Sequence, residues 1–285
     1  MKNTNSNKNK RTKKQKKINI YSSKVPTHHN KKMYNCESKL HSLRSIVNDK
    51  DKFDHLIHVY NNKPSYTIGN LTTIKGSLYD HDAIISNIKY NKYKIPLISY
   101  NIEGLCDSIK YSKEHIKRLY KEGGFIDYFK KLCKPKCIIC LQELFLLTEL
   151  DYIRTLNEKS IKYYINNRLS LLMSISDIEL GCIRYGISCI LYDKSFFKLD
   201  DKLFIPRKNN NIKGAIYVKL KIKDSGFINI VNIHLKAGQV YNLGLLKRQK
   251  EELRNIIDTV LKYNKNTPII LVGDFNSSKI DKLIS

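Results

Sequence analysis

The chain has 285 residues, of which 41% are hydrophobic, and it carries a formal net charge of +26. This length and hydrophobic content are sufficient for a globular core. No apolar run reaches the roughly 18 residues of a membrane-spanning helix, so the sequence excludes an integral helical membrane protein, and we expect a soluble intracellular one. The seven cysteines form an odd set in a chain without a secretory signal, and we expect them to be reduced.

Basic residues are concentrated at the N-terminus but are not confined to it. Residues 1–32 hold eleven of the 52 lysines and arginines and none of the 26 acidic residues, which leaves a net charge of +15 on residues 33–285. Such a charge favours a polyanionic partner, either nucleic acid or an anionic membrane surface, because contacts with phosphates release counterions. The alternative is an AT-rich genome whose codons favour Lys, Asn, Ile and Tyr, and composition leaves both interpretations open.

The first 92 residues have a weak pattern. Residues 1–32 contain few apolar positions, and we predict a disordered basic tail, with a nucleic-acid-binding arm or a nuclear-import signal as the functional alternative. Residues 33–92 are treated as an N-terminal extension to which no domain is assigned. A helix is predicted around residues 38–60, followed by turn-rich sequence.

From residue 93 the sequence alternates between strand and helix patterns, which predicts a layered α/β body over residues 93–285. Apolar runs predict strands at 95–101, 137–142, 186–193, 214–222, 227–235 and 268–273. Helical spacing of apolar residues predicts helices at 114–133, interrupted by Gly123 and Gly124, and at 244–262. The turn-prone segment 223–226 predicts an antiparallel hairpin, which argues against a purely parallel sheet.

Polar side chains close four of the predicted strands. The clusters are Asn101 with Glu103, then Gln142 with Glu143, then Asn232 with His234, and finally Asp274 with Asn276. Carboxylate and carboxamide oxygens from several strand ends suit a hard divalent cation and leave positions for a phosphate and a water. Taken singly, each cluster has an ordinary explanation, such as a helix cap, a surface salt bridge, a hydrogen-bonded core histidine or an Asx turn. Together they predict a site for metal-assisted phosphate chemistry.

These segments, in this order, resemble the motifs of the endonuclease/exonuclease/phosphatase superfamily over roughly residues 93–285. The quoted segments are Ile95-Pro-Leu-Ile-Ser-Tyr-Asn101, Cys137-Ile-Ile-Cys-Leu-Gln142 with Glu143, His234-Leu-Lys-Ala237 and Pro268-Ile-Ile-Leu-Val-Gly-Asp-Phe-Asn276. The resemblance implies a four-layer α/β sandwich in which two mixed β-sheets are flanked by helices. The segment 234–237, together with Arg248 and Gln249 on the next predicted helix, is most similar to the deadenylase branch.

The resemblance also implies a role for each candidate residue. Glu143 would bind Mg²⁺ or Mn²⁺. Asn101, His234 and Asn276 would hold the oxygens of the phosphate, and Asp274 would align a water for in-line attack. The implied activity is that of a magnesium-dependent phosphodiester hydrolase, in the first place a nuclease acting on RNA or DNA.

The family pattern continues beyond the segment that ends this chain. It goes on to a further Asp and a closing Ser-Asp-His segment, and neither is found after Ser285. We therefore expect reduced activity, and a sandwich that is incomplete at the C-terminus with an exposed sheet edge. Asp80 and His81 are candidates for a circularly permuted replacement. Two further alternatives stay open: an inactive member that binds nucleic acid, and a phosphatase or phospholipid head-group hydrolase.

Overall fold

The computed structural model describes residues 17–24, 41–44, 54–60, 64–69, 72–74, 83–102, 125–144, 169–170, 172–208, 210–237, 243–265, 267–277 and 283. These residues form two mixed seven-stranded sheets that pack face to face. Two helices with defined bounds lie among them, α1 (Phe125–Leu132) and α2 (Leu243–Tyr263).

The first sheet combines strands from both ends of the chain. Its strands are β1 (Lys17–Lys24), β2 (His41–Arg44), β3 (Asp54–Tyr60), β11 (Phe197–Arg207), β12 (Asn210–Ile222), β13 (Phe227–His234) and β14 (Ile269–Asp274). Their order across the sheet is β11-β12-β13-β14-β3-β1-β2. β12 and β13 are antiparallel, as the turn at 223–226 predicted, whereas β13 and β14 are parallel.

The second sheet is built from the middle of the chain. Its strands are β4 (Tyr66–Ile68), β5 (Thr72–Ile74), β6 (Ala83–Tyr90), β7 (Tyr93–Asn101), β8 (Ile138–Gln142), β9 (Leu180–Tyr185) and β10 (Ser188–Asp193). Their order is β4-β6-β7-β8-β10-β9, and β5 pairs separately with β6. β7 and β8 are parallel, so both of their carboxyl ends lie at the same edge of the sheet.

The two sheets and the two helices form four layers, and an apolar cluster lies between each pair of neighbouring layers. Ile230, Ile270 and Leu97 lie in the cluster between the sheets. The outer face of the second sheet packs against α1, and the outer face of the first sheet packs against the apolar stripe of α2. Strand residues are apolar on both faces because both faces of each sheet are covered. The predicted sandwich of two mixed sheets flanked by helices is therefore confirmed.

The prediction of a helix around residues 38–60 is wrong, because the structure has β2 and β3 in this segment. Leu56 faces the space between the sheets, while Ile57 and Val59 face the helix layer. A strand buried on both faces has an apolar run that periodicity does not separate from a helix. The predicted strands from residue 93 onward and the helix at 244–262 are present, whereas residues 114–124 of the other predicted helix lie outside the described part of the chain.

The first sheet is open, with β11 and β2 at its edges, and β14 lies inside it because β3 pairs with β14 along its length. β3 is antiparallel to β14, with Val272 opposite Leu56, and β1 follows on the other side of β3. β1 lies inside the segment 1–32 that was predicted to be disordered, and the other residues of that segment are not described. The N-terminal part of the chain thus supplies strands to the sheet that holds β14. Among the described residues, no helix is both long enough and apolar enough to cross a membrane.

Candidate functional site

The four strand ends that carry the predicted site residues meet at one end of the sandwich. In the second sheet Asn101 lies opposite Gln142, and in the first sheet His234 lies opposite Asp274. Contacts between β14 and both β7 and β8 bring the two pairs together. The carboxyl ends of parallel neighbours share an edge, so this convergence follows from the topology.

Three of the predicted residues form a cluster with the composition of a metal site. Glu143, His234 and Asp274 each place one potential ligand atom within 4.8 Å of the other two. His234 Nε2 lies 3.3 Å from Glu143 Oε1 and 3.8 Å from Asp274 Oδ2. The side chains of His234 and Asp274 are buried, and that of Glu143 is 26% exposed. Two carboxylates this close repel each other unless a positive charge lies between them, so the donor set fits a divalent cation.

The two candidate asparagines orient the carboxylate of Asp274. Asp274 Oδ2 accepts hydrogen bonds from Asn101 Nδ2 and Asn276 Nδ2, both at 3.0 Å. Asp274 Oδ1 accepts a third from the backbone N–H of Asn276 at 2.8 Å. All five predicted site residues therefore lie at one site. The interaction that the structure gives to Asn101 and Asn276 is with Asp274.

Three positive φ angles shape the backbone of the site, and one of them is that of Asn276, at +47°. Glu143 has a φ of +52°, in the left-handed region that a non-glycine residue adopts at a cost of about 1–2 kcal/mol. Gly273 has a φ of +144°, and a Cβ added there would lie 1.9 Å from the carbonyl oxygen of Ile233. Glycine is therefore required for β13 and β14 to pair closely just before Asp274. Strained backbone of the kind found at Glu143 occurs preferentially at functional sites.

A buried hydrogen-bonded link joins the two sheets beneath the cluster. Gln142 Nε2 donates to Asn232 Oδ1 at 2.7 Å, and Asn232 Nδ2 donates to the carbonyl oxygens of Leu141 and Cys189 at 2.9 and 2.8 Å. Gln142 also donates to Ser99 Oγ at 3.1 Å. Gln142 and Asn232 are both completely buried. These two members of the sequence clusters therefore connect the sheets.

Replacement of Asn232 by leucine should lower the free energy of unfolding by about 2–4 kcal/mol. Leucine has the same number and branching of side-chain heavy atoms but leaves a buried amide and two carbonyl groups without these partners. The midpoint of urea unfolding measures the loss. Asn255→Leu on the exposed face of α2 is the matched control and should change stability by less than about 0.5 kcal/mol. Equal stability of the two variants would contradict a supporting role for the link.

Helix α2 fixes the loops that follow β13 and β14. Gln249 is 2% exposed, and its Nε2 donates to the carbonyl oxygens of Lys236 and Asn276 at 2.7 and 2.8 Å. Asn276 Nδ2 also donates to the carbonyl oxygen of Leu235 at 3.1 Å. A single buried amide thus bridges the segments next to His234 and Asp274. The sequence analysis noted Gln249 only for its family resemblance.

Two further cations lie near the cluster, and sequence reasoning missed both. Arg207, at the end of β11, donates from Nε to Glu252 Oε1 at 2.7 Å and from Nη2 to the carbonyl oxygen of His234. Burial lowers the pKa of Lys213, near the start of β12, and the negative charge of Glu143 opposes that change. The site end of the first sheet therefore combines the carboxylates with positive charge.

β3 contributes an Asp-His pair to the same end of the first sheet. In the register of β3 and β14, Asp54 lies opposite Asp274 and His55 lies opposite Gly273. His55 is buried, with Nε2 2.9 Å from the carbonyl oxygen of Ser277. Burial lowers the pKa of His55 to about 4, although the hydrogen bond with Ser277 and the charge of Asp274 act in the opposite direction. His55 is therefore neutral at pH 7.

The sequence carries a signal for this Asp-His pair, but both residues fall within the helix predicted around residues 38–60. Asp54 and His55 directly precede the apolar Leu56 and Ile57, and their order matches the Asp-His of the closing segment in the superfamily pattern described above. Asp80 and His81, the candidates named from the sequence, lie outside the described residues.

Comparisons with known proteins add similarity of fold. No protein-family model matches the sequence, and no curated protein matches it. The structure is similar to TDP2 from D. rerio in complex with a single-strand DNA product, with a TM-score of 0.40 and 16% identity over 64% of this chain and 60% of that one. It is similar to the human Nocturnin catalytic domain with a bound sulfate anion, with a TM-score of 0.42 and 17% identity over 64% of each chain.

A third similar structure is a variant of beta toxin from Staphylococcus aureus with bound magnesium ions, with a TM-score of 0.42 and 16% identity over 66% of this chain and 68% of that one. All three are endonuclease/exonuclease/phosphatase superfamily proteins. The chain spans less than two thirds of the TDP2 and Nocturnin chains.

Proposed function

We propose that the chain is a divalent-metal-dependent phosphodiester hydrolase that acts on single-stranded nucleic acid. The observation that carries the proposal is the cluster of Glu143, His234 and Asp274, with potential ligand atoms within 4.8 Å of one another at the end of both sheets. Glu143, with its side chain partly open to solvent, and Asp274 would hold the ion, and Mg²⁺ or Mn²⁺ suits such carboxylate oxygens. When bound, an ion of this kind polarises a phosphate oxygen and stabilises the charge that develops on it.

The remaining residues supply orientation and hydrogen bonds. His234 is buried beside Glu143, and its Nε2 faces the cluster, where it can donate to a phosphate oxygen. Asp274 is held at both carboxylate oxygens by Asn101 and Asn276, which gives it the fixed orientation required to align an attacking water. Gln249 holds the backbone on which Asn276 lies. The chemistry is therefore in-line attack of water on a phosphodiester whose position is fixed by these groups.

Charge favours nucleic acid as the substrate. The formal net charge of +26 leaves +15 on residues 33–285 after the basic first 32 residues are removed. Lys213 adds positive charge at the site end of the first sheet, where Arg207 is paired with Glu252. Positive charge of this kind attracts and retains a polyphosphate backbone, and it makes binding depend on salt.

The test is cleavage of end-labelled single-stranded RNA and DNA by the purified full chain. We expect cleavage with added Mg²⁺ or Mn²⁺, no cleavage in EDTA, and recovery when excess ion is returned. Cleavage that persists in EDTA would contradict the metal-dependent proposal. Binding of the oligonucleotides without any turnover would identify an inactive binding protein, and turnover confined to inositol phosphates or phospholipid head groups would identify a different hydrolase.

A further inference from the structure

A groove of about 770 Å³ lies at the site end of the first sheet, between the outer face of this sheet and α2. It is lined by the end of β11, the start of β12, the loop after β13 and one side of α2. The ends of β11 and β13 and the start of β12 lie at the same edge of the sheet as His234, because neighbouring strands here are antiparallel. The groove volume is in the range of pockets that bind small ligands.

The groove has an apolar floor and a positively charged rim. Ile205 and Ile256 belong to its lining and are buried or nearly so. Lys208, Lys236 and Arg248 line it with exposed side chains. An apolar floor next to several cations complements a nucleotide, which has an apolar face on its base and a charge on its phosphate.

Acidic residues in the lining only partly offset this charge. Glu252 is paired with Arg207, and Glu251 is exposed on the same side of α2. The paired charges cancel, so three exposed cations face a single exposed carboxylate. Lysine and arginine side chains are long enough to follow a flexible phosphate backbone.

The groove is connected to the cluster through the backbone after β13. Lys236 follows His234 by two residues, and its carbonyl oxygen is held by Gln249. Arg207 contributes to the groove lining and donates to the carbonyl oxygen of His234. Two lining residues thus lie on, or contact, the backbone next to His234.

We propose that this groove is a nucleotide subsite, which binds one unit of a single-stranded nucleic acid adjacent to the phosphate that is cleaved. The base or sugar lies on the floor at Ile205 and Ile256, and the flanking phosphate contacts Lys236 and Arg248. This inference rests on the proposed function, and it adds which part of the substrate this face of the protein binds.

The test measures binding without turnover. The full chain is titrated in EDTA against a fluorescein-labelled single-stranded DNA 12-mer, and anisotropy gives Kd over a series of salt concentrations. The double variant Lys236→Glu, Arg248→Glu reverses two rim charges. Lys221→Glu, Lys223→Glu is the matched control, since both lysines are exposed at the opposite end of the first sheet and the charge change is identical.

We expect Kd to rise at least about tenfold in the groove variant and less than about threefold in the control, with a salt slope that falls by about 2 in the groove variant only. Equal losses in the two variants, or no loss in the groove variant, would overturn the subsite. If thermal unfolding shows that the double variant does not fold, the single variant Lys208→Glu replaces it and should raise Kd about threefold.

The two proposals fail separately. Selective loss of binding in the groove variant, combined with a wild-type chain that does not cleave in Mg²⁺, would reject the hydrolase and retain a nucleic-acid-binding groove. Cleavage by the wild-type chain, combined with equal losses in both variants, would retain the hydrolase and reject the subsite.

Discussion

Glu143→Gln should lower kcat/KM for cleavage of a single-stranded oligonucleotide by at least about 10²-fold, the size of effect seen when one electrostatic contact to a reacting group is removed. Glutamine keeps the size of the side chain and the backbone of the loop after β8, but it removes the negative charge that lies 3.3 Å from His234 and within 4.8 Å of Asp274. Steady-state kinetics at saturating Mg²⁺ measure the loss.

The matched control for this variant is Glu179→Gln. Glu179 has a 71% exposed side chain and pairs with Lys194 close to the end of β10, away from the cluster. It should change kcat/KM less than about twofold. Affinity for the oligonucleotide in EDTA should be nearly the same in both variants, because the loss is assigned to the reaction and not to binding. Unchanged cleavage by Glu143→Gln would remove Glu143 from the mechanism.

The second large expected effect is a loss of stability in acid that originates in β3. Burial lowers the pKa values of His55 and His58 from 6.5 to about 4. In the unfolded chain each imidazole takes up a proton near pH 6.5, whereas the folded chain excludes it until about pH 4, so the unfolded state is favoured progressively as the pH falls between these values. Stability is retained above pH 6.5. Between pH 7 and 5 each histidine should lower the free energy of unfolding by about 2 kcal/mol.

His58→Phe separates this contribution from general acid effects. His58 stacks on Tyr66 of β4 with ring centroids 5.1 Å apart, and its Nε2 has no hydrogen bond among the described residues. Phenylalanine can keep the aromatic contact without titrating. Urea unfolding at pH 7 and at pH 5 should show that the variant loses about 2 kcal/mol less than the wild-type chain over this interval. An identical pH dependence in the two proteins would contradict the assignment.

The position of the candidate site could be predicted from the sequence because its signal is local. An apolar strand that ends in a polar cluster is visible in a few adjacent residues, and Asn101, Glu143, His234, Asp274 and Asn276 each follow such a strand. Parallel pairing then brings these strand ends to one edge. The resemblance to a known family supplied the order of the motifs, and the structure supplied the distances between the side chains.

Other features depend on contacts between distant segments and were therefore missed. β3 is a strand because it lies between β14 and β1, and its apolar residues alone suited a helix equally well. The burial of Gln249 becomes apparent only when the loops after β13 and β14 approach α2. The positive φ of Glu143 has no signature in its residue type. In each case a tertiary contact decides the role of a residue whose local sequence is ordinary.

The central claim, that Glu143 and Asp274 hold one divalent cation beside His234, is tested most directly by Mn²⁺ binding followed by electron paramagnetic resonance. The full chain should bind one Mn²⁺ that Mg²⁺ displaces, and the Kd for Mn²⁺ should rise at least about tenfold in Glu143→Gln and in Asp274→Asn but not in Glu179→Gln. Mn²⁺ binding of equal strength in all four proteins, or no binding at millimolar Mn²⁺, would contradict it.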